Sequence, residues 1–346
     1  MPAIRRRQFS TAAALAAASL AVPVRGAQGR LEKARLMIAV GGKASFYHLP
    51  LTIAAQLGYF RAEGLDVDIV ESGGGGRALQ AVTSGEADVV SAAYLHLVPL
   101  QARGQVLQAF VLQGRAPQMA FGVSTRTLPG FQSMQALKGR RIGVTELGSS
   151  THVLARLLLS RYGIQSGEVS FVGVGAGAGA LNAMRAGQLD AVCSIEPLIT
   201  LLEQKGDVRV IYDTRSLRGT QEVFGGPMPA ACLCAPLEFV QKHPQTVQAL
   251  SDAMVHGLKW LQTAGPRDII KTVPEAYQLG EPGLYLSAFS KVRETLSIDG
   301  VFPEDGGRTV LRTFSSVDPA FKAEKIDLGK TYTNQFALRA KARFKA

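Results

Sequence analysis

The feature that most limits the fold of this chain is a repeat. Moved from 67 to 169, VDIVESGGGGRALQAVTSGEADVVSAAY (67–94) lies over VSFVGVGAGAGALNAMRAGQLDAVCSIE (169–196) without a gap. Ten of the 28 positions are identical, among them Val67/Val169, Gly73/Gly175, Leu79/Leu181, Gly85/Gly187 and Asp88/Asp190. Each copy reads as a strand, a glycine turn, a helix, a glycine stop and a second strand. At the same offset the helix opening FYHLP (46–50) falls over GSSTH (148–152), and Phe60 falls over Tyr162. Two copies of one α/β unit account best for an unbroken register.

Strand and helix patterns alternate through both copies, which predicts mostly parallel sheets covered by helices on both faces. QGRAPQMAFGVS (113–124) leads from the first unit to the second, and the apolar run FGGPMPAACLCAP (224–236) returns. The fold class expected is therefore α/β, with two parallel-sheet lobes joined by two crossover strands and a helical C-terminal segment. Residues 32–117 and 231–346 form lobe 1 in this reading, and 118–230 form lobe 2. A ligand cleft lies between them.

Residues 1–27 read as an export signal rather than as part of the fold. Arg5, Arg6 and Arg7 precede a short alanine-rich apolar stretch with small residues beyond it and no acid. Arg6-Arg7-Gln8-Phe9 resembles a twin-arginine signal, with Arg5 where Ser or Thr is usual. The mature protein is thus expected in the periplasm. Removing four arginines lowers the net charge from +11 to 38 − 4 − 27 = +7. The remaining Lys and Arg are scattered without interleaved aromatics, which argues against nucleic acid as a partner.

Cys193, Cys232 and Cys234 are too few for a disulfide framework, and no metal-ligand spacing surrounds them. Cys232 and Cys234 are two apart in an apolar run, so a strand there points both to one face. Buried free thiols are expected, with no metal. Catalytic signatures are missing: there is no G-x-S-x-G elbow, no H-E-x-x-H helix and no phosphate loop with its lysine. GGGGRA (73–78) and GAGAGA (175–180) fit the looser dinucleotide pattern ending in Ala, a poor match to an exported protein. No cofactor is expected, and the chain is read as a monomer without enzymatic activity.

Ligands of open parallel sheets sit beyond the carboxyl ends of strands, where helices begin. Ser149, Ser150 and Thr151 offer hydroxyls and free N–H groups at the positive end of a helix, for an anion or as an ordinary cap. Gly73 and Gly74 let backbone approach a ligand or serve only the turn. Tyr47 and His48 start the matching helix of the first copy, and Tyr94 and His96 follow a strand; each is cleft or core. Glu196, aligned with Tyr94, either accepts a donor from the ligand or caps its own helix.

FYHLPLTIAAQLGYFRAEGLDVDIVESGGGGRALQAVTSGEADVV resembles the opening of periplasmic substrate-binding proteins of the nitrate/sulfonate/taurine importer group, related to the thiamine-pyrimidine synthase-like family. LKGRRIGVTELGSSTHVLARLLL (137–159) and AMRAGQLDAVCSIEPLI (183–199) resemble that group's second lobe. The resemblance covers residues 35–235. It implies a two-lobed protein that closes on a small molecule and docks on an ABC permease. It also implies cleft contacts at Gly73, Gly74, Ser149, Ser150, Thr151 and Glu196. Where the group has Asp-Pro this chain has Glu196-Pro197, and bulky Tyr94 and His96 replace a small-residue turn. These departures point to a bulkier or aromatic ligand and away from the familiar small anions, while the basic net charge favours an anionic one, so an anionic or aromatic organic molecule is expected. The alternatives are a thiamine-pyrimidine synthase-like enzyme, whose cysteine-rich motif is reduced here to Cys232 and Cys234, and a ligand-sensing domain for a signalling partner.

Overall fold

The computed structural model describes residues 30–318 and 320–346. The export signal expected over 1–27 lies outside them. Residues Leu31–Ala346 form one compact unit. Among the described residues, no helix is long and apolar enough to cross a membrane.

Among the described residues, ten strands form two five-stranded sheets of the same plan. The first contains β1 (Arg35–Val40), β2 (Asp66–Glu71), β3 (Val89–Ala93), β4 (Leu107–Leu112) and the late β10 (Ala231–Pro236), in the order β2-β1-β3-β10-β4. The second contains β5 (Met119–Ser124), β6 (Arg141–Val144), β7 (Ser170–Gly173), β8 (Ala191–Ile195) and β9 (Val208–Asp213), in the order β7-β6-β8-β5-β9. Three neighbouring strands in each are parallel. The fourth, β10 or β5, is antiparallel to both its neighbours. Each sheet is thus mixed, because the strand arriving from the other sheet enters against the local direction.

The repeat seen in the sequence maps onto this plan. Strands β3 and β8 coincide at the offset that aligns the two copies. The helix Gly75–Thr83 in one copy answers Ala178–Arg185 in the other. Gly73 (φ 70°) and Gly175 (φ 73°) open the two turns in the left-handed conformation, which a side chain there would strain.

The two crossings run side by side: Gly114 N–H donates to Ala231 O at 3.1 Å, and Ala230 N–H to Gly114 O at 2.9 Å. Helices Pro244–Thr263 and Gln335–Phe344 cover the first sheet, with Leu250, Met254 and Phe336 buried against Phe110 and Leu233. The other C-terminal helices reach the second sheet's helices. Gln204 Nε2 donates to Ser287 Oγ (2.7 Å), and Arg156 Nη2 to Val317 O (2.6 Å). One apolar cluster runs from Ile142 and Leu154 through Phe121 to Cys232 and Phe302, joining both sheets. Cys193, Cys232 and Cys234 are buried and free, and Cys232 Sγ–H donates to Ala92 O at 3.5 Å.

Candidate functional site

A cavity of about 400 Å³ lies just past the carboxyl ends of six strands: β1, β2 and β3 of the first sheet and β6, β7 and β8 of the second. Tyr47, His48, Gly73 and Gly74 line it from one side, and Ser149 and Ser150 from the other. Both sheets end there because each turns into a helix through a glycine or hydroxyl residue, which leaves backbone close to the open space.

His48 is buried, and its Nδ1 lies 2.7 Å from Ser91 Oγ, which also accepts a hydrogen bond from Gln113 Nε2 at 2.8 Å. The Ser91 hydroxyl, with one hydrogen and two lone pairs, can serve His48 Nδ1 in either tautomer of the ring. Burial pushes the His48 pKa down to about 4, and that of His96 likewise to about 4. Both rings are therefore neutral near pH 7. Neither His48 Nε2 nor the His96 ring makes a hydrogen bond among the described residues. The Tyr47 ring lines the cavity, but its hydroxyl is sealed and unpartnered. Burial first, and then the neighbouring Cys232 thiol, drive that phenol well above its ordinary pKa.

On the facing side, Ser149 caps the helix Ser150–Ser160: its Oγ accepts the His152 backbone N–H at 3.3 Å and meets Thr145 Oγ1 at 3.0 Å. Ser150 Oγ makes no hydrogen bond among the described residues. Two charged residues line the cavity, Lys43 and Glu71, and Lys43 N–H donates to Glu71 Oε2 at 3.1 Å. Their charges cancel, so the wall carries no net charge.

Three residues expected at the ligand stand elsewhere. Tyr94 is fully buried on the far side of β3, its hydroxyl 2.6 Å from Thr331 Oγ1 and its ring against Phe302. Thr151 turns inward, where its Oγ1 accepts the Thr145 N–H at 3.0 Å. Glu196 is buried against Arg215 (3.0 Å) and accepts from Thr200 Oγ1 (2.7 Å) and Thr200 N–H (3.2 Å), which makes it a helix cap and ion-pair partner. Desolvation explains the pairing, since a carboxylate at that depth needs a cation and donors. The cavity recruits others that went unread: Ser91, Thr145 and Tyr277. Ser91 had a signal, as the one polar residue inside the apolar strand VVSAA.

A second cavity, of about 510 Å³, shares His96 with the first and is lined by Gly76, Gly148, His152, Arg156 and Phe314. A contact between the lobes stands at Gly76, beside both cavities. Gly76 N–H donates to Glu146 Oε2 at 2.9 Å, and Arg77 Nε stands 3.8 Å from Oε1.

Two mixed sheets of like plan, crossed twice, with a cavity at their facing carboxyl ends, define the periplasmic-binding-protein fold. An alkanesulfonate-binding protein of Xanthomonas axonopodis pv. citri, solved with MOPS bound, has this fold. It matches with a TM-score of 0.68 at 19% identity, covering 88% of this chain and all of that one. The chain belongs to the NMT1/THI5-like family, whose model matches residues 45–266. A solved protein from Bordetella bronchiseptica RB50 is 50% identical, with a TM-score of 0.90, covering 92% of this chain and 100% of that one. A 4-amino-5-hydroxymethyl-2-methylpyrimidine phosphate synthase of Schizosaccharomyces pombe is 26% identical over 220 residues, or 61% of this chain; the chain spans 61% of that relative's length.

Proposed function

We propose that the protein is the solute-binding component of an ABC importer, exported and working as a monomer that closes its two lobes on a small organic molecule. The carrying observation is convergence: His48 Nε2 from the first lobe and Ser150 Oγ from the second have no hydrogen-bond partner among the described residues, and both residues line one cavity. Unpaired polar groups on facing walls are what a ligand satisfies on closure. Tyr47, Gly73, Gly74 and Ser149 complete the set of proposed contacts. Neutral imidazoles, an aromatic ring and a wall without net charge favour a ligand with an aromatic or heterocyclic body over a compact anion.

The alkanesulfonate-binding fold neighbour supports the transport role, and the synthase name of the Schizosaccharomyces pombe relative keeps a pyrimidine among the candidates. Differential scanning fluorimetry of the protein lacking residues 1–27, against sulfonates, carboxylates, aromatic acids and pyrimidines, tests the proposal. A specific ligand at a hundredfold excess over its Kd adds about 2.7 kcal/mol of stability. A shift with one chemical class and no product is the expected result. Turnover of a pyrimidine precursor without any binding shift would replace the carrier by an enzyme.

A further inference from the structure

The glycine run answers a need that lies across the cleft. The helix Gly75–Thr83 begins with free N–H groups and the positive end of its dipole, a seat for an anion. That seat is filled by the protein itself. Glu146, just past the end of β6 on the other sheet, accepts the Gly76 N–H at 2.9 Å, and Arg77 flanks the carboxylate at 3.8 Å. The glycines are fitted to this carboxylate. A Cβ on Gly74 would stand 2.5 Å from Glu146 Oε2, and one on Gly76 at 3.1 Å. Behind them, a Cβ on Gly41 would strike Gly75 N at 2.9 Å, so the turn cannot retreat. The Gly41–Gly75 approach is backbone against backbone, while Gly74 and Gly76 leave room for the movable end of Glu146.

We propose that Glu146 is a specificity-determining residue: its carboxylate occupies the anion seat of the Gly73–Gly76 turn in the closed cleft and so rejects anionic solutes. The inference rests on the reading of the cleft as the solute site, and adds which charge that site excludes. Gly73, Gly74 and Gly75 line the 400 Å³ cavity, so a ligand anion entering it meets a seat already taken and a like charge beside it. The same contact bridges the two lobes, since its donor and acceptor come from different sheets.

The test uses the protein lacking residues 1–27 with methanesulfonate as the anionic probe, and Glu146→Ala, Glu146→Gln and Gly74→Ala as variants. Small-angle scattering without ligand reads closure, and isothermal titration reads the probe. The wild type is expected to be compact and to bind methanesulfonate weakly, while Glu146→Ala opens in scattering and binds it about tenfold tighter or better. Glu146→Gln keeps an oxygen for Gly76 N–H but loses the charge, so it stays more compact than Glu146→Ala and still gains probe affinity. Gly74→Ala, with Glu146 intact, is expected to push the carboxylate end of Glu146 off Gly76 N–H and so to loosen the same contact. Equal probe affinity in the wild type and both Glu146 variants overturns the proposal, as does a scattering profile that none of the variants changes. These readouts need no cognate ligand, so a blank screen against the solute panel would count against the carrier reading alone.

Discussion

Asp88 and Asp190 each take a backbone N–H of the matching strand of their own sheet, β1 and β6: Asp88 Oδ2 accepts from Met37 and Asp190 Oδ2 from Arg141, both at 3.0 Å. Each also faces cations, Lys33 at 2.6 Å for Asp88, and Arg140 and Arg141 at 3.9 and 3.7 Å for Asp190. The repeat therefore conserves a structural job as well as a pattern. The Asp190 side chain is 7% exposed and that of Asp88 21%. Stranding a buried N–H costs about 1–3 kcal/mol. Urea denaturation should show Asp190→Ala losing about that much and Asp88→Ala less; equal, negligible losses would refute the assignment.

Glu196 is expected to matter for stability and not for ligand contact. Removing it leaves Arg215, which is buried, with Asp213 and Glu203 as its remaining partners. Breaking a buried ion pair costs about 3–5 kcal/mol, an upper range here because those two carboxylates stay. Thermal unfolding of unliganded Glu196→Ala should fall by many degrees. A variant as stable as the wild type that has lost ligand binding would return Glu196 to the cleft.

Ser149 and Ser150 should separate cleanly. Ser149 caps a helix, so Ser149→Ala should cost about 1 kcal/mol of stability. Ser150 Oγ has no partner among the described residues, so Ser150→Ala should leave the unliganded melting temperature unchanged and weaken the ligand shift. Melting curves with and without the panel hit distinguish the two, and a stability loss at Ser150 would mark it as structural.

Acid should weaken the fold through His48 and His96. Both rings are held neutral, with pKa values down at about 4 because of burial. The unfolded value is near 6.5, so unfolding takes up protons between the two values. The stabilisation is complete above about pH 6.5 and is lost as pH falls toward 4, by about 3 kcal/mol for the more buried His48. Guanidinium midpoints at pH 7 and pH 4.5 should differ accordingly, and His48→Gln should flatten part of that slope. An unchanged slope in the variant would place the acid sensitivity elsewhere.

Much of the fold was legible because strand, turn and helix chemistry is local. The repeat showed the strand, glycine turn and helix of each copy, and β3 and β8 lie at its offset. Direction was not legible: residues just after a strand point into the cleft or into the core with the same local sequence. Ser149 and Ser150 face the cavity while Thr151, one position on, is turned inward by its bond to Thr145, and Tyr94 is drawn to Thr331 far along the chain. Partners across the cleft carry no local mark either. Glu146 lies in a stretch that shows only a strand-to-helix turn, and only the assembled lobes show that it meets Gly76 N–H. The C-terminal helices likewise show their apolar faces in sequence without saying which sheet's helices they meet.

The most direct measurement of the central claim is a crystal structure of the protein with the strongest panel hit. The account predicts ligand density in the 400 Å³ cavity, within hydrogen-bond distance of His48 Nε2 and Ser150 Oγ. Density instead in the neighbouring cavity beside His152 and Arg156, with His48 and Ser150 untouched, would contradict it.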